Sequence, residues 1–341
     1  MHNKVDISEN RLFSLYPEVL EKLLEDHASH ENIYWATDSY SSKGEGYQFF
    51  DKITVDRITG ENGKVIRPRS LKTKEEQLGR TKDKGEVFTP SWVCNAQNNL
   101  IDEVWFGESD VFNIQKATSC SWRTKTRKLM FPTKTGKTWQ DYVCDTRLEI
   151  TCGEAPYLVS RYDTTTGNPI SLHKRIGILD RKLRIVGENT NSQEDWLLWA
   201  YAALKSIYGF EWQGDNLLLA RESILFSFID YYEDFATKQK FECKKLSRSC
   251  ILHAADIISW NLFQMDGLKM VLPLSCQNTV ITEYDSLYEG SKVNHMSCPG
   301  CTKNDIHIHN GIKQVVADWK KDEWSFNETP ISVEQFHKLM N

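Results

Sequence analysis

The sequence has no run approaching eighteen apolar residues, which excludes a membrane-spanning helix of ordinary composition and leaves no membrane partner to expect. It has no excess of positive charge either. Lys and Arg number 42 against 47 Asp and Glu, a formal net charge of −5, so the chain cannot coat nucleic acid by bulk charge and any such contact must use local patches. A paired cysteine framework is missing too. The nine cysteines are an odd number, and most sit in apolar contexts such as Trp92-Val93-Cys94 and Tyr142-Val143-Cys144, which reads as reduced core thiols. The polar amino-terminal stretch shows no charged-then-apolar signal pattern, so a cytoplasmic location is expected. No internal repeat is evident.

What is present is a globular composition. With 341 residues and 40% hydrophobic content, the chain can bury a sizeable core in one large domain or two ordinary ones. Two basic stretches stand out against the acidic balance. Lys64 to Lys84 holds eight basic residues and three acids, and Lys116 to Lys137 holds seven basic residues and no acid.

Apolar spacing over Leu12 to His27 predicts an amphipathic opening helix. Ile53, Val55, Ile58, Val65 and Ile66 around Asn62-Gly63 predict a hairpin. From Glu86 the pattern changes. A helix is expected over Ser91 to Glu103, and a Thr- and Lys-rich loop or ribbon over Val111 to Trp139. Strands are predicted at Arg147 to Ile150, Arg175 to Leu179, Ser206 to Glu211 and Ile257 to Trp260. Helices are predicted near Tyr157 to Tyr162, over Trp196 to Tyr208 and over Asn216 to Phe235. Strands alternating with helices imply an α/β fold built on a mostly parallel sheet. The expected organisation is an extension over 1–85, a core over 86–273 and a small module over 274–341.

Leu148-Glu149-Ile150-Thr151-Cys152-Gly153-Glu154-Ala155-Pro156-Tyr157-Leu158 reads as a strand ending on an acid, then a tight glycine turn. Such a turn lets a ligand approach backbone amides closely. Glu86-Val87-Phe88-Thr89-Pro90 precedes it. In that order the two segments resemble the Phe-Thr-Pro and Asp/Glu-Pro-Ala-Cys-Gly-Ser-Gly-Asn-Phe-Leu segments of adenine-N6 DNA methyltransferases of restriction–modification systems, with Glu154-Ala155 where a small residue and a second glycine are usual. Ser206 to Glu211, followed by a helix carrying Ala220 and Arg221, is similar to that family's ribose-binding strand. Asp266-Gly267-Leu268 is similar to its adenine-contacting turn.

The resemblance implies a Rossmann-like core that binds S-adenosylmethionine, with Phe88, Thr89, Pro90, Glu149, Gly153 and Asp266 at the cofactor. It implies Glu211 as the first candidate for the ribose acid and Asp180, after Arg175 to Leu179, as the second. The implied activity is adenine-N6 methylation of double-stranded DNA by a subunit of a restriction–modification system, with a restriction or specificity subunit as a further partner. The tetrapeptide that does this chemistry, Asp/Asn-Pro-Pro-Tyr/Phe, does not occur in the chain. Asn261 and Phe263 are the nearest substitutes for the amine site. The alternative is a catalytically inactive protein of the same fold that binds DNA or a partner. Arg123, Lys125, Arg127 and Lys128, interleaved with Trp122, are the expected phosphate contacts.

Cys298-Pro299-Gly300-Cys301 with His307 and His309 places two thiols and two imidazoles within twelve residues, the ligand types of a zinc knuckle.

Overall fold

The computed structural model describes residues 8–131, 136–277, 279–284, 291–319 and 330–332. Much of the 274–341 module lies outside them. At the centre is a three-stranded parallel sheet of Arg147–Glu149, Ile207–Glu211 and Leu262–Gln264, in that order, with Leu148 opposite Tyr208 and Phe210 opposite Phe263. Helices Ile178–Asn189 and Gln193–Lys205 connect the first strand to the second. Helices Gly214–Lys238 and Arg248–Asn261 connect the second to the third. The remaining sheets are two-stranded and antiparallel. The fold is therefore mixed α/β with small sheets, some of them parallel.

The parallel sheet is narrow, and helices supply most of the core. Gly214–Lys238 is buried through most of its length, polar residues such as Asp215, Arg221 and Ser227 included. Its Leu217, Ile224 and Phe228 share one cluster with Val186, Trp196 and Ile258, and with Leu20, Trp35 and Ile53 from the amino-terminal segment. Arg221 joins these layers. Its buried guanidinium donates to the carbonyls of Leu262 and Ser259 and to those of Leu23 and Glu25, satisfying helix-end and loop acceptors at once. The amino-terminal segment also reaches the sheet directly, because Gln264 exchanges hydrogen bonds with the backbone N–H and C=O of Tyr34 at 2.8 and 2.9 Å.

Several elements differ from the sequence expectation. The opening helix is two, Glu9–Leu15 and Pro17–Leu24, because Pro17 excludes Tyr16 from helical geometry (φ −147°, ψ 72°). Residues 53–66 form a short helix, Val55–Ile58, and a 3-10 turn, Gly60–Asn62, in place of a hairpin. A primed Asn-Gly turn needs positive φ at both residues, and Gly63 sits at −65°. The strand expected at Arg175 to Leu179 is the start of helix Ile178–Asn189. Ile257 to Trp260 completes helix Arg248–Asn261, and the strand begins only at Leu262. Residues 157–162 run from a turn through irregular chain to a bridge between Tyr162 and Pro169, with no helix. No helix among the described residues is long and apolar enough to cross a membrane.

Candidate functional site

The first two parallel strands end on acids, Glu149 and Glu211, and the chain between them makes an unusual turn. Cys152 N–H bonds to Phe210 C=O at 2.8 Å, docking the turn against the neighbouring strand. Thr151, Gly153 and Ala155 then alternate in the left-handed region, at φ of 50°, 54° and 57°. Glycine takes this conformation freely. A residue with a Cβ gives up about 1–2 kcal/mol there, and such strain is held where surrounding contacts fix the backbone.

Those contacts are visible. Glu211 accepts Gly153 N–H at 2.8 Å with one oxygen and Gln213 N–H at 3.2 Å with the other. Glu149 accepts the N–H groups of Tyr157 at 3.4 Å and Leu158 at 3.2 Å. Glu154, at the position where the sequence departs from the resembled segment, is a latch. Its carboxylate accepts Arg69 N–H at 2.7 Å and Tyr162 O–H at 2.6 Å, tying the turn to the amino-terminal segment.

Above the turn opens a cleft of about 620 Å³, within the usual range of roughly 300–1,000 Å³ for small-molecule sites. Phe88, Thr89, Glu149, Gly153 and Glu211 all line it, together with Glu86, Trp212, Gln213 and Asn216. The Phe88 ring lies where a Cβ on Gly153 would be 3.7 Å away, so the glycine leaves room between ring and backbone. Trp212 is fixed by an indole N–H bond to Ala36 C=O at 3.1 Å. Arg80 steadies one wall, donating to Gln213 Oε1 at 2.8 Å, to Asp215 at 2.8 and 3.1 Å and to Asn216 Oδ1 at 3.4 Å. It also pairs with Glu86. Asp215, beside Arg80 and Lys72, is held well below the usual carboxylate range.

The electrostatics of this lining are one-sided. Glu86, Glu149 and Glu211 face the cleft, and no Lys, Arg or His is among the described residues that line it. Glu86 is answered by Arg80, but among the described residues neither Glu149 nor Glu211 is paired with a cation. Burial pushes the Glu149 carboxyl up to about 8, with the Glu211 charge a smaller contribution. Burial likewise pushes Glu211 up to about 6, although its two backbone donors pull the other way. A carboxylate offers about four acceptor positions, and the amides on each take only two. The cleft can therefore accept hydrogen bonds and take up positive charge. It is ill suited to phosphate.

Other expected site residues lie elsewhere. Pro90 is the N-cap residue of helix Ser91–Phe106, next to the cleft but outside its lining. Asp180 accepts Ser160 N–H at 2.8 Å and Gly177 N–H at 3.1 Å, a helix-start role buried away from the cleft. Asp266 accepts Leu268 N–H at 2.9 Å within its own turn and is likewise outside the lining. Asn261 is fully buried. Its amide donates to Leu204 C=O at 3.0 Å and Ile207 C=O at 2.9 Å and accepts the Trp319 indole N–H at 2.8 Å. Phe263 packs with Tyr208, Phe210, Met265 and Val316. Neither residue reaches the cleft, because both sit where the third strand is covered by later chain.

Arg123 lies on an antiparallel ribbon, Asn113–Lys116 with Ser121–Thr124, and Lys125, Arg127 and Lys128 follow it. All four are exposed. Trp122 is anchored by an indole N–H bond to Lys174 C=O at 2.8 Å.

At the carboxyl-terminal side Cys298, Cys301 and His309 converge, and the fourth member is Cys276, not His307. Residues 306–308 form a 3-10 turn, in which alternate side chains do not share a face as they would on a strand, and His307 is not part of the group. This Cys₃His group has the composition and proximity of a metal-binding cluster.

Sequence reasoning missed Cys276, the Glu154 latch and the Arg80 network. Cys276 lies 22 positions before Cys298 in an unremarkable Leu-Ser-Cys-Gln context that carries no ligand spacing. Comparison of the chain with protein-family models, curated proteins and solved structures gave no match.

Proposed function

We propose that the chain binds S-adenosylmethionine in the Glu149–Gly153–Glu211 cleft and serves as a cofactor-binding subunit of a Rossmann-like DNA adenine-N6 methyltransferase. The observation that carries this reading is the acidic, base-free lining of the cleft. A dinucleotide or nucleoside triphosphate would meet buried carboxylates without a cation. S-adenosylmethionine carries a sulfonium and an ammonium against one carboxylate, a net positive charge that an acidic lining complements.

The residues present fit such a ligand. Glu211, at the end of the second strand, has acceptor capacity for a ribose diol. Glu149 and the turn carbonyls suit an ammonium, and Phe88 and Trp212 offer ring faces. When bound, the cofactor supplies an electrophilic methyl group. The chain's own part is to hold the ligand's polar groups at Glu149 and Glu211, to admit it beside Gly153, and to screen it from water with Phe88 and Trp212. In this reading Arg123, Lys125, Arg127 and Lys128 hold duplex phosphates. Removing all four should reduce the salt slope of DNA binding by about 3–4.

A second reading is favoured by the closure of Asn261 and Phe263: a protein of this fold that binds the cofactor, and DNA or a partner, without methyl transfer. Equilibrium binding with labelled S-adenosylmethionine, followed by incubation with unmethylated DNA, separates the two. Binding with label transfer supports the enzyme. Binding without transfer supports the second reading for the isolated chain, and no binding overturns both.

A further inference from the structure

We propose that Cys276, Cys298, Cys301 and His309 bind one zinc ion as a closed, four-ligand structural site that clamps the carboxyl-terminal segment onto the third strand of the sheet. The geometry is that of coordination. His309 Nδ1 lies 3.5 Å from Cys276 Sγ, 3.5 Å from Cys298 Sγ and 3.7 Å from Cys301 Sγ, and the four ligand atoms lie within 4.8 Å of one another. Zinc with Zn–S of ~2.3 Å and Zn–N of ~2.0–2.1 Å at tetrahedral angles places each sulfur ~3.6 Å from the nitrogen. One imidazole nitrogen has a single lone pair, so three thiols around it are not a hydrogen-bond arrangement. The cysteines are free, which removes a disulfide as the reason for their approach.

The surroundings are built for the same purpose. Asn310 N–H donates to Cys298 Sγ at 3.4 Å, the backbone-to-sulfur bond that steadies a thiolate. Gly300 permits the approach of the imidazole, since a Cβ there would stand 2.5 Å from His309 Cγ. An all-sulfur-and-nitrogen donor set selects zinc over calcium or magnesium, and four protein ligands leave no open position for catalysis.

The position of the cluster gives it a task. The segment carrying Cys276 is laced to the segment carrying His309 by Leu272 N–H to Ile312 C=O at 2.8 Å, Ile312 N–H to Ser275 Oγ at 2.9 Å and a two-way bond between Asn310 and Gln277. Directly after this lacing, buried Gln314 donates to Gln264 C=O at 2.7 Å and to Asp26 at 2.8 Å, and Trp319 reaches Asn261. The ion closes the loop that holds Gln314 and Trp319 in place.

The test is metal analysis of the full chain purified without chelator. One zinc per chain is expected, retained in His307→Ala and His309→Cys and lost in Cys276→Ser. Cobalt titrated into metal-stripped wild-type protein should give the intense visible absorption of tetrahedral thiolate coordination. This readout does not depend on the variants folding or on cofactor binding. No zinc, iron in its place, one equivalent retained in Cys276→Ser, or a weak octahedral-type cobalt spectrum would each overturn the proposal.

Discussion

The second and third strands of the parallel sheet end in register, Glu211 opposite Gln264, yet their ends differ completely in chemistry. At Glu211 the chain leaves a buried carboxylate with two amide partners and spare acceptor capacity facing a cleft. At Gln264 nothing is spare. Its amide bonds to Tyr34 on both sides and to Trp212 C=O, and its own carbonyl accepts Gln314. The amino-terminal segment covers one side of that strand end and the carboxyl-terminal segment the other. A strand end in a parallel sheet becomes a site when later chain leaves it uncovered, and Asn261 and Phe263 belong to the covered end.

The contrast between the two strand ends rests most heavily on Asn261. Asn261→Ala removes the acceptor of the Trp319 indole N–H and the side-chain donor to the Ile207 carbonyl, each worth about 1–3 kcal/mol, so chemical denaturation should show a loss of about 3 kcal/mol. Affinity for S-adenosylmethionine should not move in the protein that remains folded. A loss of affinity at constant stability would reverse the roles assigned to the two strand ends.

Glu211→Ala should do the opposite, weakening S-adenosylmethionine binding roughly 100-fold, about 2.7 kcal/mol, by calorimetry. Asp180→Ala should leave affinity unchanged while lowering the melting temperature, because it removes the acceptor for Ser160 and Gly177. Equal affinity losses in both variants would remove Glu211's special place.

pH sharpens the comparison further. The carboxyls of Glu149 and Glu211 are raised to about 8 and about 6 by burial, so affinity for a cationic ligand should rise between pH 6 and 8.5 as they ionise, by about tenfold, or 1.4 kcal/mol. Stability without ligand should change in the reverse sense. A raised carboxyl binds more protons folded than unfolded, so its contribution is complete below the unfolded value of about 4.5 and is lost as pH rises through about 6 and about 8. Thermal melts across this range should show the decline, and Glu149→Gln should flatten it. The smallest effect concerns the turn itself. Ala155→Gly, at φ 57°, should raise stability by about 1 kcal/mol in urea unfolding and leave affinity unchanged. Destabilisation would mean that packing of the Ala155 methyl outweighs the backbone strain.

Much of the cleft was legible because it depends on short segments. Phe88-Thr89, Glu149, Gly153 and Glu211 each end or follow a strand or precede a helix, so local pattern places them near the right edge of the sheet. Asp180 was misplaced because Arg175 to Leu179 has strand-like residues, whereas Gly177 and Asp180 together start a helix, with Asp180 accepting the Gly177 N–H. Asn261 suffered the same error at a helix end, since Ile257 to Trp260 is apolar enough for a strand but completes a helix. Short apolar runs do not distinguish the two. The Cys298-x-x-Cys301 pair was legible by spacing. Its partner Cys276 was not, because the antiparallel strands Thr279–Tyr284 and Ser291–Met296 lie between the two in sequence.

The sequence alone determined the period of the apolar residues, the charge of each segment and the presence of a glycine after a strand-ending acid, since these need only neighbours along the chain. The tertiary structure decided which strand ends stay open, which carboxylates lose water and which cysteine joins His309. Those outcomes depend on what distant segments cover, and burial, rather than residue type, sets the energy of a polar group.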